Sequence, residues 1–252
     1  MSDAVTRALR DGVVALRCDT PEGPQSGSAF YVAPQLLVTC QHVVAGAAPV
    51  EILVAQQWQS VERVELTLPL AADVALLRSA RHSGPFVRLG RFAVLGDAVR
   101  ATGFPRRNDA LHEEQILGSI EDVELQHNEP PWRSGVRLLK FRHAQVWPGF
   151  SGAPLYAERT RRVIGVVMAT RDQHSDLGGI AVPAAVLLDA HAELRDAQRA
   201  TDWSSTVWNE PRGAETAFLE HYLDPLKSPF FGRAAALAAL DRWLASAAPQ
   251  AL

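Results

Sequence analysis

The sequence places a serine between two glycines in the heptapeptide Pro148-Gly149-Phe150-Ser151-Gly152-Ala153-Pro154, shortly before the apolar run Val163-Ile164-Gly165-Val166-Val167. Small residues on both sides of Ser151 let the backbone turn tightly, so the N–H groups of Gly149 and Ser151 could point at one spot and stabilise an oxyanion. Glycine and serine are also ordinary turn residues, so the heptapeptide alone fits a plain turn as well.

Two residues earlier in the chain could act together with Ser151. His42 ends a β-rich run over residues 36–41, and an imidazole can take up and return a proton near neutral pH. Asp73 precedes the apolar residues 74–77, where its carboxylate could accept the Nδ1–H of an imidazole and fix the tautomer. Each residue also has an ordinary structural interpretation, since His42 fits a half-buried strand-end histidine and Asp73 fits a helix N-cap.

Five segments in order along the chain resemble the trypsin-like serine proteases, most closely the bacterial branch that includes the Deg/HtrA-type enzymes. The order His, Asp, Ser is that of the chymotrypsin group rather than of subtilisin or the α/β-hydrolases. The resemblance covers about residues 8–195 and rests on Gly27-Ser28-Ala29-Phe30, Val38-Thr39-Cys40-Gln41-His42-Val43-Val44, Asp73-Val74-Ala75-Leu76-Leu77, Gly103-Phe104-Pro105 and Gly149-Phe150-Ser151-Gly152-Ala153-Pro154.

This resemblance implies an all-β, chymotrypsin-like fold of two six-stranded antiparallel β-barrels, with the active site in the cleft between them. It implies that His42 is the general base, Asp73 its orienting partner and Ser151 the nucleophile. The N–H groups of Gly149 and Ser151 would form the oxyanion hole. No cofactor is expected and no metal site, because the other histidines lack metal-ligand spacing and no C-x₂-C pair is present.

The resemblance also implies which residues surround the side chain of the substrate. Gln145 would lie at the base of the S1 pocket, where its neutral amide offers no counter-charge to arginine or lysine. Asp172 or Asp176 could reach in from the neighbouring loop, so a basic preference stays open. The remaining walls of the pocket are assigned to Met168, Ala169, Thr170 and Gly178.

Phe150 departs from the pattern of the digestive relatives. Those enzymes are zymogens, in which a newly cut N-terminus pairs with an aspartate directly before the nucleophile. Phe150 occupies that position here and cannot form the ion pair. Any activation switch is therefore expected elsewhere.

The composition excludes several classes of protein. The 252 residues, 47% of them hydrophobic, can bury a full core. The net charge of −3 does not indicate a protein that binds nucleic acid or an anionic membrane. No apolar run approaches the ~20 residues of a spanning helix, and residues 1–7 lack the apolar core of a signal peptide. The only cysteines are Cys18 and Cys40, so the sequence predicts a reduced, cytoplasmic protein without disulfides.

Short apolar runs separated by turn residues predict about the number of strands that two barrels need. The predicted strands cover residues 11–18, 27–32, 36–40, 50–54, 61–68, 73–78, 97–102, 115–124, 135–142, 153–156, 163–170 and 179–182.

The chain changes character after Pro183. The sequence predicts a helix from residue 184 to 199, a linker over 203–212, a short helix over 215–223 and a final helix with Leu237, Leu240, Trp243 and Leu244 on one face. We therefore predict a protease domain over 1–199 and a linker with a helical extension over 200–252. That extension is either a brace packed on the second barrel or a connector to another module.

The connector interpretation rests on a second resemblance. The segments Phe218-Leu219-Glu220-His221-Tyr222-Leu223, Pro229-Phe230-Phe231-Gly232-Arg233 and residues 237–244 resemble the lead-in to signal-transduction (STAND-type) NTPases. No G-x-x-x-x-G-K-[S/T] loop follows in the sequence, so this chain itself is not expected to bind ATP. A nucleotide-binding sensor module is the partner that this resemblance implies.

Together the residues predict a serine endopeptidase that cleaves protein or peptide substrates, as a regulated effector domain of a bacterial signalling or defence protein. The alternative is a catalytically silent trypsin-fold module that binds a peptide or protein.

Overall fold

The structure, a computed structural model, describes residues 3–64, 72–80, 85–107, 110–126, 136–170, 175–201, 203 and 206–208. These residues form two closed β-barrels, a small hairpin and four helices, within a compact unit that spans Met1–Asn209.

The first barrel is formed by the N-terminal half of the chain. Its strands follow the order β1-β2-β3-β6-β5-β4, and all neighbouring pairs are antiparallel. Strand β3 is buried along its whole length and leads directly to the short helix α2 (Gln41–Val44). The strands are β1 (Val13–Thr20), β2 (Gly23–Ala33), β3 (Leu36–Thr39), β4 (Val50–Val54), β5 (Gln57–Val64) and β6 (Ala75–Ser79).

The second barrel has the strand order β10-β11-β14-β13-β12-β7, again antiparallel throughout. Closing each sheet on itself leaves no unpaired barrel edge. Two short strands, β8 (Arg106–Arg107) and β9 (Ala110–Leu111), form a separate hairpin after β7. The barrel strands are β7 (Ala98–Gly103), β10 (Glu114–Leu125), β11 (Leu138–Arg142), β12 (Pro154–Ala157), β13 (Arg162–Thr170) and β14 (Gly179–Pro183).

The predicted fold class is confirmed. Each of the twelve predicted strands has its counterpart in a barrel, and the ends that the structure describes differ by at most four residues. Residues 65–68 and 135 of the predicted strands lie outside the described residues. The largest differences fall beside turns, where polar residues that continue the hairpin ladder carry no apolar signal. The hairpin β8–β9 was not predicted.

The structure contains an N-terminal helix that the sequence analysis did not predict. Helix α1 (Asp3–Gly12) buries Val5 and Leu9, which lie four residues apart on one face. The apolar residues Ala4, Val5, Ala8 and Leu9 recur at the spacing of one helix face, a helical signal that the prediction of strands from residue 11 onward did not use.

The predicted helix over 184–199 is divided into α3 (Ala184–Ala190) and α4 (Ala192–Ala200). His191 separates them with an extended backbone (φ −124°), and its Nδ1 accepts the N–H of Leu194 at 3.1 Å. The imidazole thus acts as the N-cap of α4. Helix α4 is fixed to the barrels by the buried Gln198, whose amide donates to the carbonyls of Val32 at 2.6 Å and Val87 at 2.9 Å.

The chain continues to pack against the barrels beyond α4. Trp208 is only 2% exposed, and its ring meets Tyr156 edge-on with centroids 5.8 Å apart. Arg161 donates to the carbonyl of Val207 at 2.8 Å. The sequence placed these residues in a linker after a boundary at residue 199, whereas the structure places them in the same compact unit as the barrels. The predicted helices beyond residue 210 lie outside the described residues.

Among the described residues, no helix has the length and apolar character needed to cross a bilayer.

We predict that Trp208→Ala lowers the free energy of unfolding by about 3–5 kcal/mol, because it removes a fully buried indole from the barrel surface. Trp58→Ala is the matched control. Trp58 is partly exposed on β5 beneath the Arg17 guanidinium, 4.1 Å from the ring centroid, and we expect a loss nearer about 1 kcal/mol. Urea unfolding of both variants measures the difference, and equal losses would show that Trp208 belongs to a linker.

Candidate active site

Asp73 holds His42 through two contacts. Its Oδ1 accepts the backbone N–H of His42 at 2.8 Å, and its Oδ2 lies 2.6 Å from Nδ1 of the ring. The carboxylate is buried, while 37% of the His42 side chain is exposed. Because an ionised carboxylate can only accept, Nδ1 must carry the proton, and Nε2 is left as the basic nitrogen.

Ser151 lies in the loop that leads into β12, directly against the first barrel. The backbone N–H of Ser28, on β2, donates to the Ser151 carbonyl at 2.8 Å. The Ser151 hydroxyl donates to the carbonyl of Met168 on β13 at 3.2 Å. A Cβ added at Gly27 would lie 3.0 Å from both the Ser151 carbonyl oxygen and a methyl of Val43. Ser151 and Val43, the residue that follows His42, therefore both lie against Gly27.

The backbone amides around Ser151 alternate between bonded and unbonded. The N–H of Phe150 donates to the Trp147 carbonyl at 3.1 Å, and that of Gly152 donates to the Val167 carbonyl at 2.8 Å. Among the hydrogen bonds of the described residues, none is donated by the N–H of Gly149 or of Ser151. These are the two amides that the sequence assigned to an oxyanion hole.

The hydroxyl of Ser28 fixes the peptide between the two unbonded amides. It donates to the carbonyl of Gly149 at 2.7 Å and accepts the N–H of Phe104 at 2.9 Å. The carbonyl of Ser28 in turn accepts the hydroxyl of Thr39 at 2.8 Å. Ser28 is fully buried, so these bonds are sheltered from water. The sequence analysis quoted Ser28 within a family segment and assigned it no role, because no local pattern shows which loop its hydroxyl reaches.

Two positions in the loop require glycine. Gly149 has φ +102°, and a Cβ there would lie 2.6 Å from the Phe104 carbonyl oxygen. Gly152 has φ +88°, and a Cβ there would lie 2.0 Å from the Ser28 carbonyl oxygen. Both the backbone conformation and the close approach of a neighbouring chain exclude a side chain.

Phe150 anchors the loop by packing. Its ring is fully buried in the core of the second barrel, and a Cβ added at Gly103 would lie 2.7 Å from it. An apolar contact thus stands at the position where the zymogen pattern has an ion pair.

The residues predicted to line the S1 pocket lie at one end of the second barrel. Met168 contacts Ser151 through its carbonyl, and Ala169 and Thr170 pair with Ile180 and Gly179 across β13 and β14. Gly178 has φ +82° and donates its N–H to the carbonyl of Ala144, next to the exposed Gln145. Asp176 is exposed, and Asp172 lies outside the described residues. The pocket role of these residues stays a prediction.

Cys40, His42 and Asp73 bring three potential metal-ligand atoms within 4.8 Å of one another. The Cys40 thiol is a poor candidate for a ligand, because ligation needs the thiolate. Burial, with a smaller contribution from Asp73, raises the pKa of Cys40 well above its usual value. The thiol instead donates to the carbonyl of Val167 at 3.1 Å, which joins the two barrels beside the histidine.

A family model for the trypsin-like peptidase domain matches residues 27–166, a range that includes His42, Asp73 and Ser151. The chain belongs to the trypsin-like peptidase family. It is a serine protease by that membership, and the predicted resemblance is confirmed. The predicted lead-in to a nucleotide-binding module stays a prediction.

Solved protease structures share the fold of this peptidase. The Rv3671c protease from M. tuberculosis, in its active form, is 23% identical with a TM-score of 0.62, over 79% of this chain and 85% of that one. The HtrA-type protease AlgW with a tripeptide is 24% identical with a TM-score of 0.62, and the match covers 74% of this chain and 60% of AlgW. Deg5 is 21% identical with a TM-score of 0.55, over 73% of this chain and 89% of that one. A comparison with curated proteins finds no significant match.

We predict that the Cys40 thiol makes the stability of the peptidase fall at alkaline pH. Burial raises the pKa of the Cys40 thiol in the folded state, so the unfolded chain loses this proton at a lower pH than the folded protein does. The contribution of Cys40 to the free energy of unfolding is therefore fully present below the ordinary thiol pKa of about 8.5 and decreases as the pH rises above it. The loss can reach about 1.4 kcal/mol per pH unit. Urea unfolding between pH 7.5 and 10 should give a steeper fall for wild type than for Cys40→Ala. Equal slopes would show that Cys40 ionises as freely in the folded protein as in the unfolded chain.

Proposed function

We propose that the peptidase cleaves protein or peptide substrates with Ser151 as nucleophile, His42 as general base and Asp73 as the group that orients His42. The observation that carries this proposal is the contact of the buried Asp73 carboxylate with His42 Nδ1, which leaves Nε2 as the basic nitrogen of the ring.

In the proposed reaction, the Ser151 hydroxyl turns from the Met168 carbonyl and gives its proton to His42 Nε2 as Oγ attacks the substrate carbonyl carbon. The oxyanion that forms accepts the N–H groups of Gly149 and Ser151. His42 then gives the proton to the leaving amine, and a serine ester of the acyl group remains. Water, with His42 again as base, hydrolyses that ester and restores the hydroxyl.

We further propose that Ser28 positions the oxyanion hole. Its hydroxyl bond to the Gly149 carbonyl orients the peptide that joins Gly149 to Phe150, and Phe150 is held from the other side through Trp147. Fixing that peptide would hold the unbonded N–H groups on either side toward the oxyanion of the proposed reaction. Donors that are fixed in advance stabilise developing charge without a reorganisation cost at the moment of reaction.

The role as a regulated bacterial effector in defence is a separate proposal. Its sensor partner rests on the resemblance of residues 218–244 to the segment that precedes a nucleotide-binding module, and those residues lie outside the described ranges. A cytoplasmic location rests on Cys18 and Cys40, which are both free and buried.

The first test is chemical labelling with a fluorophosphonate probe, which reacts with an activated serine. We expect Ser151→Ala and His42→Ala to lose nearly all labelling and peptide cleavage, because nucleophile and base act as a unit. Asp73→Asn should lower kcat by about 10⁴, as in other triads of this type. Ser60→Ala, an exposed serine on β5, is the control that should keep full activity. A correctly folded wild-type protein that the probe does not label would instead support the catalytically silent binding module.

The second test separates positioning from stability at Ser28. Ser28→Ala should lower kcat by about 10–10²-fold with little change in KM, because a misdirected amide loses part of the 10²–10³ that one oxyanion donor supplies. Thr39→Val is the matched control, since it also removes a buried hydroxyl and its 2.8 Å bond but leaves the Gly149 peptide untouched. Both variants should lose about 1–3 kcal/mol of stability. Equal kcat values in the two variants would contradict the role of Ser28.

A further inference from the structure

His42 lies on a helix that is too short to fix its own position. Helix α2 has four residues, and an isolated helix of that length is not stable. Its N-cap residue, Cys40, makes no side-chain hydrogen bond to the helix, so the usual local cap does not hold the first turn. The position of His42 relative to Ser151 therefore depends on side chains that reach this segment from other parts of the fold.

Three side chains of the first barrel hold α2 within that barrel. Each bonds a main-chain group of the helix, at 2.8–3.2 Å: Asp73 from the loop before β6, Cys18 from β1 and Arg63 from β5. All three belong to the same half of the chain as α2. Ser151 belongs to the second barrel, so its distance from His42 is set by contacts that cross between the two barrels.

Cys40 makes such a crossing contact. Its side chain is fully buried, and its thiol donates to the carbonyl of Val167 on β13 at 3.1 Å. The Sγ atom also lies within 4.8 Å of a ring nitrogen of His42 and of a carboxylate oxygen of Asp73. Burial, with a smaller contribution from Asp73, raises the pKa of the thiol well above its usual value, so the thiol remains a hydrogen-bond donor at neutral pH.

The carbonyl that accepts this thiol also holds the Ser151 loop. The N–H of Gly152 donates to the Val167 carbonyl at 2.8 Å, and the Ser151 hydroxyl donates to the next carbonyl, that of Met168, at 3.2 Å. The pairing of β13 with β14 shifts its register at this point, and such a bulge redirects the backbone. One carbonyl oxygen of β13 thus bonds both the residue two before His42 and the residue after Ser151.

We propose that Cys40 is a positioning residue for proteolysis: its thiol ties the His42 segment to the β13 carbonyl that also holds the Ser151 loop, and so sets the separation of base and nucleophile. The inference rests on the roles proposed above for His42 and Ser151. Proton transfer requires hydrogen-bond distance, and a displacement of about 1 Å can lower the rate by about 10²-fold. A contact that spans the barrels therefore acts on the chemical step rather than on substrate binding.

Steady-state peptide cleavage by variants at position 40 tests the proposal. Cys40→Ala removes the donor and some volume, whereas Cys40→Val removes the donor and keeps a side chain of similar size. Both should lower kcat by about 10–10²-fold with KM unchanged. Cys40→Ser keeps a hydroxyl donor at the same position and should recover most of the wild-type kcat.

Three results of these measurements would overturn the proposal. The first is a wild-type kcat in both Cys40→Ala and Cys40→Val. The second is a loss in Cys40→Ala that Cys40→Val does not share, because packing alone would then account for the effect. The third is a Cys40→Ser variant as impaired as Cys40→Ala.

Cys18→Ala is the matched control for the loss of a buried thiol bond. The Cys18 thiol donates to the carbonyl of Val43 at 3.0 Å, so this bond stays within the first barrel. We expect Cys18→Ala and Cys40→Ala to lose similar stability in urea unfolding, and Cys18→Ala to keep the wild-type kcat. Equal losses of kcat in the two variants would contradict a specific role for Cys40.

The rate of fluorophosphonate labelling separates this proposal from the proposed function. We expect the probe to label wild type rapidly and Cys40→Ala more slowly. A folded wild-type protein that the probe does not label would overturn the proposed function, and the role of Cys40 with it. A labelled wild type with an unchanged rate in Cys40→Ala would overturn the role of Cys40 alone.

Discussion

The hydrogen bonds of Ser28 are the constraint on which the site depends. Its backbone N–H holds the Ser151 carbonyl and its hydroxyl holds the Gly149 carbonyl, so one buried residue of the first barrel fixes two peptides of the second. The approach is so close that Gly152 cannot carry a side chain beside it. The Ser151 loop therefore takes its conformation from the contact between barrels, and we expect that a barrel folded alone would not reproduce it.

Burial gives this contact its strength. Ser28, Thr39 and Asp73 are buried polar residues, and each has its partners within the fold. In a low-dielectric interior such bonds are stronger, and leaving one unmade is costly, so the arrangement resists small displacements. Phe150 stabilises the loop by apolar packing instead of by hydrogen bonds, since its ring is fully buried. The loop is thus held both by buried hydrogen bonds and by apolar packing.

The same framework separates the chemistry from the rest of the surface. Asp73 holds His42 from the buried side, and the S1 candidates lie at the end of the second barrel. The family model covers His42, Asp73 and Ser151, whereas Met168, Ala169, Thr170 and Gly178 lie beyond the matched residues. Helix α4 supports the barrels from outside this region, because Gln198 bonds the carbonyls of both Val32 and Val87.

The sequence by itself determined the barrels and the family. Short apolar runs marked all twelve barrel strands, and the short flanking patterns around His42, Asp73 and Ser151 identified the family, because both signals are local in the chain. The break at His191 and the burial of Trp208 escaped prediction, since each depends on what the segment packs against. Only the tertiary structure showed that the N–H and the hydroxyl of Ser28 bond the carbonyls of Ser151 and Gly149. Those contacts join residues that are far apart in the chain. The sequence does not show which distant residues meet when the two barrels pack together.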